Sequence, residues 1–185
     1  MTGTLFEGTN LLLQDDLLHE PPEFRGHTTS PWKAELDHLA SSIHQAFATN
    51  DYEGALLVIE IDFEDADVPE IQQTSLDRVE ELARKSIRRN DLVERLDHRT
   101  LVICLPGSGR TGMTRVADAI RQRVWGVATS FDEPLTTTVT IGAVHTTEAQ
   151  LVDIDELLLA ARINLDSARA AGGNRTNWSD WIMSN

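Results

Sequence analysis

Two acids close an apolar run, Val58-Ile59-Glu60-Ile61-Asp62. Carboxylates at the end of such a run mark a strand emerging into a site or into solvent. An arginine three residues before an aspartate occurs at Arg88/Asp91 and again at Arg115/Asp118. With 14 arginines and 16 aspartates in 185 positions, about one such pair is expected by chance, so the spacing alone singles out neither. The six histidines, His19, His27, His38, His44, His98 and His145, are scattered. His38 and His44 are not spaced to share one helix face, which predicts no histidine metal site. Gly107-Ser108-Gly109-Arg110-Thr111 has the outline of a phosphate loop but lacks the Gly-Lys-Ser/Thr ending, so it reads as a turn. Cys104, the single cysteine, sits inside the apolar run 101–105, which leaves neither a disulfide framework nor a cysteine zinc site. No Ser/His/Asp arrangement is legible from spacing.

The elements that must hold these residues follow from periodicity. Ser30-Pro31 reads as N-cap and first helical position, and Trp32, Leu36, Leu39, Ala40, Ile43, Ala46 and Phe47 recur at helical spacing to about Asn50. Residues 54–62 are near-continuously apolar, as in a strand buried on both faces. Ile71, Leu76, Val79, Leu82, Ala83 and Ile87 predict a helix over about 70–89. Short strands over 91–96 and 100–105 bracket a turn at Asp97-His98-Arg99, although no glycine sits at its tip. After the break at 106–109, Met113, Val116, Ala117, Ile120 and Val124 predict a helix. A β-branched strand over 136–144 follows, then a helix over 154–171 that Gly172-Gly173 terminates. The order is a helix and then a βαββαβ core with a last helix. It predicts an α/β (α+β) fold with a mostly antiparallel central sheet flanked by helices.

The expected organisation is an acidic extension over 1–30, one domain over 31–178 and a tail over 179–185. In the extension Leu11, Leu12, Leu13, Leu17 and Leu18 flank Gln14-Asp15-Asp16 and can form amphipathic turns. Trp178 and Trp181 give the other end an apolar character, able to cover the domain's own open face or to dock elsewhere. Acidity is uneven: residues 1–70 carry 15 acids and two bases, whereas 71–185 carry 15 acids and 14 bases, within a total of −14. An acidic front repels phosphate backbones and argues against a nucleic-acid partner. No stretch approaches the ~20 apolar residues of a membrane span, and no basic region precedes an apolar core at the N-terminus. The expectation is a soluble cytoplasmic protein without membrane association.

Several segments in this order resemble the GGDEF domains of bacterial diguanylate cyclases, over residues 31–178. The residues that carry the resemblance are Val58-Ile59-Glu60-Ile61-Asp62-Phe63, Arg88-Arg89-Asn90-Asp91 running into Leu92-Val93-Glu94-Arg95-Leu96, Val139-Thr140-Ile141-Gly142-Ala143, and Ala168-Arg169-Ala170-Ala171-Gly172-Gly173-Asn174-Arg175. The resemblance implies the nucleotidyl-cyclase-like fold. The positions corresponding to the five signature residues are Asp97, His98, Arg99, Thr100 and Leu101, and none retains the signature type.

In the family the two glycines let backbone approach the guanine nucleotide, so Asp97 and His98 add side chains there. The third signature residue is a carboxylate for catalytic magnesium, and Arg99 stands in its place. A unit charge repels another at 4 Å by ~4 kcal/mol at an effective dielectric of about 20, and a divalent ion doubles that. Glu60, aligned with the family's first metal carboxylate, and Asp62 are then vestigial acids at a hydrated strand end. Arg169 replaces the phosphate-contacting lysine, and Gly173 replaces an arginine. The segment after Asp62 is shorter than the family pattern and lacks its guanine-recognition elements.

The resemblance therefore implies a degenerate domain without catalytic residues, metal or cofactor. Arg88 and Asp91 fall where the family's inhibitory site binds cyclic di-GMP. There an arginine offers paired donors to guanine O6 and N7, and an aspartate accepts from N1 and N2. The family's added helix arginine aligns with Ala119, with Arg115 and Arg121 nearby. The leading expectation is a cyclic di-GMP-binding effector using Arg88, Asp91 and Arg115. The competing expectation is an interaction or dimerisation module acting through its terminal extensions without a nucleotide; a residual cyclase stands third.

Overall fold

The computed structural model describes residues 32–48, 53–63, 69–128, 137–147 and 153–181. Its elements are α1 (Trp32–Ala48), β1 (Gly54–Phe63), α2 (Pro69–Arg84), β2 (Leu92–Arg95), β3 (Thr100–Pro106), α3 (Arg110–Ala128), β4 (Thr137–Thr146), α4 (Ile154–Ala170) and β5 (Thr176–Asp180). They build one five-stranded sheet in the order β2-β3-β1-β4-β5. All neighbours run antiparallel except β4 and β5, which are parallel.

Strand alternation sends β1 into two cores. Ala55, Leu57, Ile59 and Ile61 join Leu101, Ile103 and Leu105 of β3 under α2 and α3. Leu56 and Val58 join Val102 and Cys104 under α1 and α4, against Leu39, Ile43, Phe47, Leu157, Ala161 and Leu165. A central strand covered on both faces has no polar side to show. Hence its sequence lacks alternation until Glu60 and Asp62, which continue the Leu56/Val58 face beyond the core. Gly142 of β4 is required by this packing, because a Cβ there would run into the backbone of Ala161 and Leu165. Burial pushes the Cys104 thiol up to about 12, which leaves it an inert core group.

Local chemistry explains the ends. The Asp153 carboxylate accepts from the Asp155 amide at 3.0 Å and caps α4, with Asp155 and Glu156 in its first turn and Arg169 in its last. Gly173, at φ +69°, donates to Ala168 O at 3.1 Å and closes the helix in a left-handed turn. The hairpin at 97–99 forms without glycine because the Asp97 carboxylate accepts from the Arg99 amide at 2.9 Å, while Leu96 N donates to Thr100 O at 2.9 Å.

Two expectations are corrected. The helix expected to about Arg89 ends at Arg84. Ser86 N instead donates to Ala83 O at 2.8 Å, and the Asp91 carboxylate takes the Arg88 amide at 2.7 Å, so a side-chain turn replaces the helical ladder. Ile87 still packs on the core, which preserved the helical spacing in the sequence. β5 had no strand signal in Thr-Asn-Trp-Ser-Asp, yet it pairs with β4 from Ile141↔Thr176 to His145↔Asp180. It runs across the 178/179 position where a tail was expected to begin. Trp181 packs against the α1/α4 core, whereas Trp178 remains exposed. The chain divides after Ser30; the leucines of the extension, the Ser30-Pro31 cap and residues 182–185 lie outside the described residues. Among the described residues no helix is long and apolar enough to cross a membrane.

Candidate functional site

The two ends of the sheet carry different chemistry. At one end β1 delivers Glu60 and Asp62, the β2–β3 turn delivers Arg99, and the last turn of α4 delivers Arg169. Ile61 N donates to Arg99 O at 3.0 Å, which extends the sheet by one residue and aims Arg99 at β1. Arg99 Nη2 then donates to Glu60 Oε1 at 2.6 Å, and Arg169 Nη2 donates to Glu60 Oε2. Glu60 is 5% exposed. The hydrated strand end expected for it is therefore corrected: this carboxylate is buried and bridged by two guanidiniums, because strand register and the α4 terminus converge on it.

Asp62 is engaged as fully. Its carboxylate accepts from Thr138 Oγ1 at 2.6 Å and from Thr140 Oγ1 at 2.9 Å, and the Asn174 amide lies 3.4 Å away. Asp62 thus ties β4 to the turn that ends α4. The family resemblance implies a divalent cation at this place, and the donor set does not fit one. Both oxygens of Glu60 face guanidiniums, and both oxygens of Asp62 accept hydroxyl protons. Among the described residues no group of three or more His, Cys, Asp or Glu could hold a metal. The exposed Asp97 and His98 stand at the neighbouring turn, and Thr100 and Leu101 are buried in β3.

The opposite end holds Arg88, Asp91 and Arg115. Arg88 and Asp91 line a cavity of about 290 Å³ with Arg89, Asn90 and Pro106. They do not form a side-chain pair: Asp91 Oδ2 accepts the Arg88 amide, and the Arg88 guanidinium makes no ion pair among the described residues. Burial raises the Asp91 carboxyl above its usual range, partly offset by the Arg88 amide. Arg88 also lines a larger groove, of about 580 Å³, with Arg115 and the turn Gly107 to Gly112. Arg88 therefore lines one hollow with Asp91 and another with Arg115, and the three residues do not meet in one. Arg121 is elsewhere, donating to Asn174 O at 2.5 Å.

Beside this groove the fold assembles a set that the sequence named only in part and never together. His145 of β4 places Nδ1 3.2 Å from Asp180 Oδ1, and Arg110 Nε donates to the same oxygen at 2.6 Å. The Arg110 guanidinium holds the Asp180 carboxyl below its usual range, against a smaller effect of burial, with His145 as a further partner. Residues 35 and 70 positions apart meet through the β4–β5 register and the start of α3. Linear spacing carried no signal for them.

The family profile described as diguanylate cyclase, GGDEF domain, matches residues 70–175, more than half of the chain. Among solved structures, the active GGEEF domain of a diguanylate cyclase from Vibrio cholerae is similar at TM-score 0.64 and 19% identity, over 80% of this chain and 97% of that one. The coiled coil and GGDEF domain of DgcB from Caulobacter crescentus, solved in complex with c-di-GMP, is similar at TM-score 0.61 and 17% identity, over 80% of each chain. Diguanylate cyclase SiaD from Pseudomonas aeruginosa, solved with its activator SiaC, gives 0.62 and 15% identity. The match covers 81% of this chain and spans 61% of the SiaD chain. At these identities the likeness is one of fold. No curated protein matches the chain.

Proposed function

The chain belongs to the diguanylate cyclase GGDEF domain family, and on that premise we propose that it is a catalytically inactive member that acts as a cyclic di-GMP effector through Arg88 and Asp91. The observation that carries the inactivity is the Arg99–Glu60–Arg169 bridge. Phosphoryl transfer in this family depends on metal and positioning, and the bridge puts two positive charges where a cation would have to sit. The ligand reading rests on the opposite end. There the Arg88 guanidinium is exposed and unpaired among the described residues, and Asp91 spends Oδ2 on a backbone amide while Oδ1 accepts from none of the described residues. That leaves a donor fork and an acceptor beside one cavity, the pair a guanine edge needs.

The second reading is a protein-interaction module without a nucleotide, confined with the first to a soluble, cytoplasmic setting. Leu159 and Ile163, one turn apart on α4, and Trp178 on β5 are exposed and favour it, and a structural relative was solved with a protein activator. Under this reading the N-terminal extension, residues 1–30, and the end of the chain beyond Trp181 contribute to a homodimer or to partner binding.

Titration calorimetry with cyclic di-GMP on the full chain and on Arg88→Ala separates the two. Binding in the micromolar range that the variant loses by about tenfold or more supports the effector. No heat with the wild type removes it and leaves the interaction module. Incubation with GTP and magnesium or manganese should give no cyclic di-GMP above a blank; turnover would overturn the inactivity.

A further inference from the structure

The groove at the start of α3 shares Arg88 and the expected ligand arginine Arg115 with that reading, and its other residues have no role there. It combines four features. The helix begins at Arg110, and its first backbone bond is Met113 N to Gly109 O, so the amides of Arg110, Thr111 and Gly112 precede the ladder. Gly109 has no side chain to cap them, and the first turn holds no acid. Among the described residues three guanidiniums, of Arg88, Arg110 and Arg115, line the groove with one carboxylate, Glu53, Arg110 also pairing with Asp180, in a chain whose net charge is −14.

The fourth feature is His145, whose side chain is 6% exposed and lines the same groove. Its Nδ1 faces the Asp180 carboxylate, which only accepts, so Nδ1 carries a proton. Its Nε2 is buried without a hydrogen-bond partner among the described residues. Glu53 Oε1 lies 3.6 Å from Nε2, beyond hydrogen-bond reach, and the Glu53 side chain is half-exposed. A buried imidazole nitrogen left unpaired costs free energy that a ligand can recover.

We infer that this groove binds a phosphate group, held by the α3 N-terminal amides, Arg110, Arg115 and His145, with Glu53 as the carboxylate that the ligand displaces. A phosphate matches every donor: its ionised oxygens accept from the amides, the guanidiniums and an imidazolium, while a P–OH donates to a neutral Nε2. The groove, at about 580 Å³, also has the capacity for a phosphorylated small molecule rather than a bare ion alone. The inference does not rest on cyclic di-GMP binding, because Asp91 lines the other cavity.

The test is a titration of the full chain with inorganic phosphate and with pyrophosphate, followed by amide NMR shifts of residues 107–112. Saturable shifts below about 10 mM are expected, with pyrophosphate the tighter. Arg110→Ala and His145→Gln should each weaken binding by about tenfold, and Glu53→Gln should tighten it several-fold by removing the competing carboxylate. Asp91→Asn should leave phosphate affinity unchanged, while it abolishes any cyclic di-GMP binding. The inference fails if no saturable shift occurs in wild type or Glu53→Gln. It also fails if Glu53→Gln does not tighten binding, a readout that holds even should His145→Gln not fold. Phosphate failing while cyclic di-GMP binds would remove this site alone.

Discussion

The two ends of the sheet use arginine in opposite ways. At the Glu60 end two guanidiniums converge on one buried carboxylate, and Asp62 is consumed by threonine hydroxyls, so each carboxylate oxygen is occupied within the chain. At the Arg88 end the guanidiniums of Arg88 and Arg115 make no ion pair among the described residues, and a buried imidazole nitrogen lacks a partner. Charge that is spent internally stabilises; charge that is left unspent beside a hollow is available to a ligand. The contrast teaches that an acid at a strand end can be consumed by the chain itself. Here Glu60 cross-links β1, the β2–β3 turn and α4.

The largest expected effect breaks that cross-link. Arg99→Ala combined with Arg169→Ala leaves Glu60 buried and unpaired. Because the two arginines are themselves 39% and 50% exposed, the loss should fall at the low end of that for a broken buried pair, about 3 kcal/mol, or roughly 6–12 °C in melting temperature. Adding Glu60→Gln to the double variant should restore most of it, since a neutral amide has far less to lose by burial. At the other end Arg88→Ala should change stability by less than about 0.5 kcal/mol. A double variant that melts with the wild type would show that the bridge holds nothing.

Legibility in the sequence followed this same division. The apolar run of β1 announced a strand covered on both faces, because periodicity reports burial directly, whereas the acids at its end left a site and solvent both open. The flanking β2 and β3 segments fixed the turn that holds Arg99, but only the family resemblance set it beside Glu60. What could not be seen was Arg169 closing the second side of Glu60, since 109 residues separate them and only the path of α4 unites them. The His145–Asp180–Arg110 set was hidden for a further reason. β5 reads as a polar tail, for its Thr-Asn-Trp-Ser-Asp lacks alternation, and its pairing is decided by an open β4 edge rather than by its own residues. The early end of α2 was missed because Ile87 keeps helical spacing while packing from a turn.

The smallest expected effects concern two aspartates at the Arg88 end, and they differ in sign. The Asp180 carboxyl is depressed by Arg110. Its native form therefore adds stability above the ordinary aspartate value of about 3.9, and that contribution is lost as pH falls through the native value. The Asp91 carboxyl is raised by burial, so its ionised form costs stability above its native value, and the cost is relieved as pH falls through that value towards 3.9 or so. Asparagine keeps an acceptor for the Arg88 amide in one case and removes the charge facing Arg110 in the other. Measured by thermal melts, Asp180→Asn should sit below wild type at pH 7 and Asp91→Asn slightly above it, each within about 1 kcal/mol. Both should converge on wild type once pH has fallen below both native values, from opposite sides. Displacement of both variants below wild type at pH 7 would show that Asp91, like Asp180, is already held by a charge partner, which would leave no acceptor at the Arg88 cavity for a guanine edge.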